Sequence, residues 1–188
     1  MDIEKEIEAY VPCTEQEEND KQVILKWIEQ GGDLYTRDNQ VAHFTASAWV
    51  TDASHEHVLM AYHNIYQSWS WLGGHADGDH DLLHVAEKEI KEESGLTSVH
   101  PISEHIASLE ILTVDGHIKH GKYVSSHLHM NVTYFFEADS TQPIRAKEDE
   151  NSSVAWFTLD EAVEKSSEPW FREHIYSKLN RKLRYLSR

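Results

Sequence analysis

The sequence predicts a layered α/β (α+β) domain, and three observations lead to that class. Segments whose apolar residues alternate with polar ones interleave with segments whose apolar residues recur at helical spacing. The chain contains no internal repeat and no low-complexity tract. Its 188 residues, 39% hydrophobic and 27% charged, are enough for one buried core and have an ordinary globular composition.

Residues 1–38 are predicted to form a helical extension ahead of the main domain. The segment Asp2–Tyr10 is short and acidic. Thr14 and Glu17 then match a capping box, in which a hydroxyl and a carboxylate satisfy free backbone N–H groups at a helix start. Apolar residues follow at helical spacing, and Gly31-Gly32 ends the helix.

Residues 39–188 are predicted to form the main domain, in which strands and helices interleave. The predicted strands are Val41–Thr51, Val58–His63, Pro101–Val114, Tyr123–Glu137 and Val154–Thr158. The predicted helices are Asp81–Ser94, one that starts within Asp160–Lys165, and a basic-ended terminal helix, Glu168–Leu186. A polar loop precedes the last strand.

The chain is strongly acidic, and this disfavours polyanions as binding partners. With 17 Lys and Arg against 33 Asp and Glu, the formal net charge is −16, so binding along a nucleic acid duplex is disfavoured. No apolar run approaches the roughly 18 residues of a membrane helix, and the acidic N-terminus does not resemble a signal peptide. The single cysteine, Cys13, allows no intrachain disulfide. We expect a cytoplasmic protein without membrane or duplex partners, and the sequence leaves a homodimer open.

Three glutamates in the predicted helix Asp81–Ser94 indicate a metal site. Glu89, Glu92 and Glu93 stand at i, i+3 and i+4, so they form one stripe along the helix. Like charges at this spacing repel each other and destabilise a helix. A hard divalent cation such as Mg²⁺ or Mn²⁺, which prefers oxygen ligands, would offset that repulsion. The alternative from the pattern alone is a solvated acidic face.

The residues around this stripe resemble the Nudix box. That box reads Gly, five residues, Glu, seven residues, Arg-Glu, an apolar residue, any residue, Glu-Glu, any residue, Gly and an apolar residue. The segment Gly74–Leu96 matches seven of its nine fixed positions. Such a match by chance is on the order of one in a few thousand, given ordinary glycine and glutamate usage. The sequence is therefore similar to the Nudix hydrolase family.

The resemblance implies a fold, a reaction and roles for particular residues. The fold would be a mixed β-sheet between helices, and the reaction would be metal-dependent attack of water on a small nucleoside diphosphate derivative. Glu92 and Glu93 would be the first metal ligands, Glu89 would be a third ligand or the base, and the backbone of Gly74 would complete the shell. A base outside the box is common in the family, and Glu150 is the candidate, with its two acidic neighbours as alternatives. The catalytic candidates are Glu89, Glu93 and Glu150.

Two box positions depart from the family pattern: His80 stands in place of Glu, and Lys88 in place of Arg. In the family that pair braces the loop against the helix, and these two residues cannot form it because neither supplies a carboxylate. Asp79 or Asp81, beside the expected position, could reach Lys88 instead. The departures keep open a second function, a Nudix-fold module that binds a ligand without catalysis.

Two further chemistries are disfavoured by the sequence. The segment His80–His84 resembles a zincin motif with Asp in place of Glu, which would bind Zn²⁺ through two histidines. Its histidines are expected to face solvent, away from the glutamate stripe. Isomerisation of isopentenyl diphosphate, a different reaction on the same fold, is expected to need a catalytic cysteine, and Cys13 lies far from the box in the chain.

Aromatic and histidine residues near the box are the candidates for substrate binding. Trp69 and Trp71, with Tyr66, precede the box and could stack on a planar base, although alternate strand residues also pack in cores. His127 and His129 stand two apart, so they share one face of a strand. They would contact phosphate or line a polar pocket.

Overall fold

The computed structural model describes residues 2–119 and 121–186. Its strands are β1 (Ala42–Thr51), β2 (His57–His63), β3 (Ser68–Ser70), β4 (Leu72–His75), β5 (His100–Pro101), β6 (Ser108–Val114), β7 (His117–Lys119), β8 (Lys122–Val124), β9 (His127–Glu137) and β10 (Asn151–Thr158). Its α-helices are α1 (Ile3–Ala9), α2 (Glu15–Gln30), α3 (Leu82–Ser94), α4 (Leu159–Lys165) and α5 (Ser177–Leu186). A π-helical segment, Phe171–Tyr176, leads directly into α5.

Strands of the described residues form one mixed sheet around β1. Its main path runs β10-β2-β1-β9-β5, with β3 paired to β2, β4 to β1 and β6 to β9. β1 and β9 pair in parallel along their length, and the other pairs are antiparallel. β7 and β8 form a separate hairpin. The parallel register places His43 opposite His129, which matters for the site described below.

The sheet lies between two groups of helices, because alternate residues of a strand point to opposite faces. On one face, Phe44 belongs to a large apolar cluster with Ile24 of α2 and Ile90 of α3. On the other face, Trp49 belongs to a second apolar cluster with Leu179 of α5. The mixed sheet between helices that the resemblance implied is therefore confirmed.

The extension predicted for residues 1–38 contains α1 and α2. Ile7 and Ile24 are fully buried in the first apolar cluster, and α2 lies against β6. Both helices thus share a core with the sheet. The division of the chain at residue 38 stays a prediction, since it marks a change of pattern along the sequence rather than a gap in packing.

A buried ion pair ties α2 to the terminal helix. Thr14 accepts a hydrogen bond from the N–H of Glu17 at 3.2 Å, as the capping box predicts, but the Glu17 carboxylate accepts from the N–H of Cys13. It also lies 2.6 Å from Lys182 Nζ and 3.1 Å from Lys178 Nζ. Burial alone would raise the pKa of Glu17, but the two ammonium groups and the Cys13 N–H outweigh it and lower the pKa to about 2.

Two long predicted strands are each divided in the structure. The segment Pro101–Val114 separates into β5 and β6, because residues 102–107 lie outside the paired register with β9 and the chain bends there. Within Tyr123–Glu137, Ser125 and Ser126 separate β8 from β9, and Ser126 Oγ accepts a hydrogen bond from the N–H of Gly116. Within residues 2–119 and 121–186, no helix is both long and apolar enough to cross a membrane.

Candidate metal and active site

Helix α3 presents the three predicted glutamates beside β4. Asp81 caps its N-terminus by accepting a hydrogen bond from the N–H of His84 at 3.1 Å. Gly95 ends it in the left-handed conformation, with φ of 72°. Val85 and Ile90 are buried against the sheet, so the apolar face of the helix fixes the direction of the glutamate stripe. We call Glu89, Glu92 and Glu93 the carboxylate stripe.

Glu89 lies directly against Gly74. A Cβ atom placed on Gly74 would be 2.6 Å from Glu89 Cδ and 2.7 Å from Glu89 Oε1. Only glycine therefore leaves room for this carboxylate beside the strand. Burial raises the pKa of Glu89, and the nearby Glu92 carboxylate adds to that rise, against the lowering effect of Lys88.

Glu93 is buried and joins α3 to two other elements. One carboxylate oxygen accepts a hydrogen bond from the N–H of Gly73 at 2.9 Å, and the other accepts from Asn151 Nδ2 at 3.1 Å. Burial raises the pKa of Glu93 to about 7, although both hydrogen bonds favour the ionised form. Each oxygen retains lone-pair capacity for a further ligand.

Glu92 and Glu150 meet through a shared lysine. Lys147 Nζ lies 2.9 Å from Glu150 Oε2 and 3.6 Å from Glu92 Oε2. Lys88 approaches the same group of carboxylates, 3.6 Å from Glu92 and 3.7 Å from Glu89. The structure therefore brings the loop residue Glu150 next to the carboxylate stripe, with two ammonium groups between the acids.

His80 and Lys88, which depart from the box pattern, do not make the contacts expected from the sequence. Neither Asp79 nor Asp81 reaches Lys88, because Asp79 Oδ2 is 2.7 Å from His84 Nδ1 and Asp81 caps α3. His80 stacks on Tyr35 with ring centroids 3.8 Å apart. The two histidines of the zincin-like segment are thus engaged separately and do not converge.

A cavity of about 420 Å³ lies on the other side of β4. Its lining includes Arg37 and Tyr66 with a group of histidines. His127 and His129, the predicted substrate contacts, are among them. Burial and the neighbouring imidazoles lower the pKa of His129 to about 2. A neutral imidazole at His129 brings no charge to a phosphate. The guanidinium of Arg37, which also lines this cavity, is paired with Asp77 at 2.8 Å.

Trp69 and Trp71 lie away from that cavity. Trp69 makes an edge contact with Phe157 at 4.8 Å between centroids. Trp71 makes an edge contact with Tyr176 at 5.7 Å. Both indoles pack against the second apolar cluster, so the structure places these predicted stacking residues in packing positions. Tyr66, at the same stretch of chain, is the aromatic residue that reaches the cavity.

Several residues of the site carry no strong sequence signal. Lys147 and Asn151 contact glutamates of the site. In the sequence they are marked only by lying three residues before and one residue after Glu150. His75 follows the box glycine directly. His43 joins the group only through the parallel pairing of β1 with β9, a long-range contact that local patterns do not reveal.

Comparison with known families agrees with this geometry. The family model of the NUDIX domain matches residues 41–179, a span that runs from β1 into α5 and includes the whole carboxylate stripe. No curated protein matches the sequence.

Solved structures with a similar fold are described as hydrolases. A NUDIX hydrolase from Nitrosomonas europaea aligns at a TM-score of 0.56 with 16% identity, covering 77% of this chain and 90% of its own. A C. elegans Ap4A hydrolase binary complex aligns at 0.52 with 15% identity, covering 77% and 96%. The E. coli dihydroneopterin triphosphate pyrophosphohydrolase aligns at 0.53 with 12% identity, covering 72% and 92%. At such identities these matches establish the fold.

Proposed function

The chain belongs to the NUDIX family, and on that premise we propose that it is a divalent-metal-dependent hydrolase that cleaves the pyrophosphate bond of a small nucleoside diphosphate derivative. The observation that carries the proposal is the cluster of four carboxylates, the stripe together with Glu150, beside the backbone of Gly74. Carboxylate oxygens on neighbouring elements are the kind of ligand that Mg²⁺ or Mn²⁺ prefers.

The residues present fit such a cation. Gly74 leaves the space that a Cβ would fill, and the Glu89 carboxylate occupies it. Glu92 is accessible, with 42% of its side chain exposed. Glu93 retains free lone pairs beside its two hydrogen bonds. We assign Glu89, Glu92, Glu93 and the Gly74 carbonyl as the ligands. A divalent cation bound there would neutralise charge that develops on the diphosphate oxygens and make a water molecule more acidic.

Glu150 is our candidate for the base that removes the proton from the attacking water. It stands in the loop before β10, and its partner Lys147 also approaches Glu92. A loop residue can adjust its position when substrate binds. Glu89 is the alternative, and its contact with Gly74 favours a ligand role for it over a base role.

The lining of the adjoining cavity and the names of two fold neighbours support this substrate class. Arg37, which is paired with Asp77 at 2.8 Å, and Tyr66 line the adjoining cavity. A phosphate that displaced Asp77 would pair with the guanidinium while a planar group stacked on the ring. Two similar structures are named as hydrolases of Ap4A and of dihydroneopterin triphosphate, which supports a small phosphorylated substrate here. A cytoplasmic location and a homodimer stay predictions from the sequence.

A screen of nucleotide derivatives tests the proposal. The purified chain would be incubated with nucleoside diphosphate sugars, dinucleoside polyphosphates and nucleoside triphosphates, each with Mg²⁺, Mn²⁺ or chelator, and products would be separated by chromatography. We expect phosphate-containing products with at least one substrate, only when the cation is present. Binding of a nucleotide without turnover under all conditions would contradict hydrolysis and favour the non-catalytic module.

A further inference from the structure

We propose that His43, His75, His127 and His129 form a binding site for one transition-metal ion, Zn²⁺ first among them, separate from the carboxylate stripe. We call these four residues the histidine cluster. The proposal does not depend on the hydrolase activity, since it concerns a different set of ligands.

The four imidazoles converge although they come from three strands. Each offers a ring nitrogen, and these four nitrogens lie within 4.8 Å of one another. β1 supplies His43, β4 supplies His75 and β9 supplies the other two. His43 and His129 are direct partners in the parallel ladder. Convergence from three paired strands fixes the cluster on rigid backbone, as a preorganised metal site requires.

Hydrogen bonds to the backbone set the tautomers that a metal needs. His43 Nδ1 lies 2.9 Å from the carbonyl oxygen of Asn39, and His127 Nδ1 lies 2.8 Å from that of Ser125. A carbonyl only accepts, so each Nδ1 carries the proton and each Nε2 keeps its lone pair. This arrangement, one ring nitrogen to a carbonyl and the other to the ion, is typical of metal-binding histidines.

Two observations place Nε2 atoms of the cluster toward its centre. His43 Nε2 is buried and has no hydrogen-bond partner among the described residues. His127 Nε2 lies 3.2 Å from His129 Nε2. A tetrahedral Zn²⁺ with Zn–N bonds of about 2.1 Å holds its ligands about 3.4 Å apart. The existing separations of 3.2 to 4.8 Å therefore need only small side-chain rotations.

The ligand chemistry separates this site from the carboxylate stripe. Imidazole nitrogens suit Zn²⁺, Cu²⁺, Ni²⁺ and Fe²⁺, whereas Mg²⁺ prefers oxygen. The side of Gly74 that a Cβ would occupy faces Glu89, and strand residues alternate between faces. The next residue, His75, therefore points to the opposite face of β4, into the 420 Å³ cavity. The two sites would be filled by different ions from opposite sides of one strand.

Zinc binding to variants tests the proposal. A Glu92→Gln chain, in which the carboxylate stripe is weakened, would be dialysed against Zn²⁺ in the presence of excess Mg²⁺. The Zn²⁺ bound per chain would be counted by elemental analysis. We expect one Zn²⁺ per chain, at least tenfold weaker binding after His43→Gln or His127→Gln, and no change after His105→Gln, an exposed histidine outside the cluster. Circular dichroism would confirm that each variant is folded.

Two results of the Zn²⁺ measurement would overturn the proposal. One is no Zn²⁺ uptake in the Glu92→Gln chain, and the other is unchanged uptake in a folded His43→Gln or His127→Gln chain. A measurement on the unmodified protein guards against variants that fail to fold. Loading with Co²⁺ should give the intense visible absorption of a four-coordinate nitrogen site, and only the weak spectrum of octahedral oxygen ligation would equally refute it.

Discussion

Replacing Gly74 with alanine should impair metal binding by the carboxylate stripe although none of its glutamates is substituted. The added Cβ would lie 2.6 Å from Glu89 Cδ, well inside van der Waals contact. The atom that meets it is the far end of a flexible side chain, so the Glu89 carboxylate would move and the backbone would stay. Gly74 has no positive φ, so alanine adopts its conformation without strain.

The size of the effect follows from the distance that Glu89 must travel. Restoring ordinary contact requires a shift of about 1 Å, and a misplacement of about 1 Å at a catalytic group can cost about 10²-fold in rate. We therefore expect kcat/KM to fall about 10²-fold and the affinity for Mg²⁺ or Mn²⁺ to fall as well. The free energy of unfolding should change by no more than about 1 kcal/mol, since alanine also lowers the entropy of the unfolded chain.

Gly73→Ala is the matched control. Its Cβ would lie 2.5 Å from the carbonyl oxygen of Ala46, which is backbone of the central strand and cannot yield. That variant should lose about 1–3 kcal/mol of stability through overpacking, visible as a melting temperature lower by several degrees. Gly74→Ala should thus lower activity, whereas Gly73→Ala should lower stability.

The assay is steady-state hydrolysis with a substrate from the nucleotide screen, combined with cation titration by calorimetry and thermal melting. Near-normal turnover and cation affinity in Gly74→Ala would show that Glu89 is not held in a working position by the strand. A large loss of stability in the same variant would show that the contact is rigid, and the reasoning about a flexible side chain would be wrong.

Three further outcomes are expected. Glu93→Gln should lose cation-dependent turnover yet remain folded. Asn151 Oδ1 is buried and has no hydrogen-bond partner among the residues that the structure describes, so rotation of that amide would let it accept the new N–H. A thermal melt of the variant checks this. Glu150→Gln should lower kcat by about 10²–10⁴, the range for loss of a general base, and should leave the cation affinity nearly unchanged. A normal kcat would show that another acid is the general base. The pKa of Glu17 is lowered to about 2, so the stability that its pair with Lys178 contributes is complete above about pH 4.5 and decreases as the pH falls toward 2. The difference in unfolding free energy between the protein and Glu17→Gln should therefore shrink over that range. A constant difference would argue against the pair.

The fold could be predicted from the sequence because its signals are local. The helix at Asp81–Ser94 has a cap, an apolar face and a terminal glycine, and the structure has it at Leu82–Ser94. The strand ends were less well defined where polar residues interrupt the ladder. Ser125 and Ser126 fit an extended pattern, but in the structure they separate the β7–β8 hairpin from β9.

Only part of the site could be predicted from the sequence. The carboxylate stripe follows from spacing along one helix, so Glu89, Glu92 and Glu93 could be grouped without a structure. The histidine cluster depends on which strands pair, and residues from 43 to 129 meet only through the sheet. Whether an indole such as Trp69 faces a cavity or a helix also depends on tertiary packing, which alternation along a strand does not decide.

We propose that the carboxylate stripe holds the cation on which hydrolysis depends. The most direct measurement is the rate of substrate cleavage as a function of Mg²⁺ concentration, for the protein and for Glu92→Gln, whose accessible side chain makes the variant safe for folding. We expect saturable activation by Mg²⁺ in the protein and, in the variant, a midpoint at least tenfold higher or no activation. Cleavage that is independent of Mg²⁺, or the same midpoint in both chains, would contradict it.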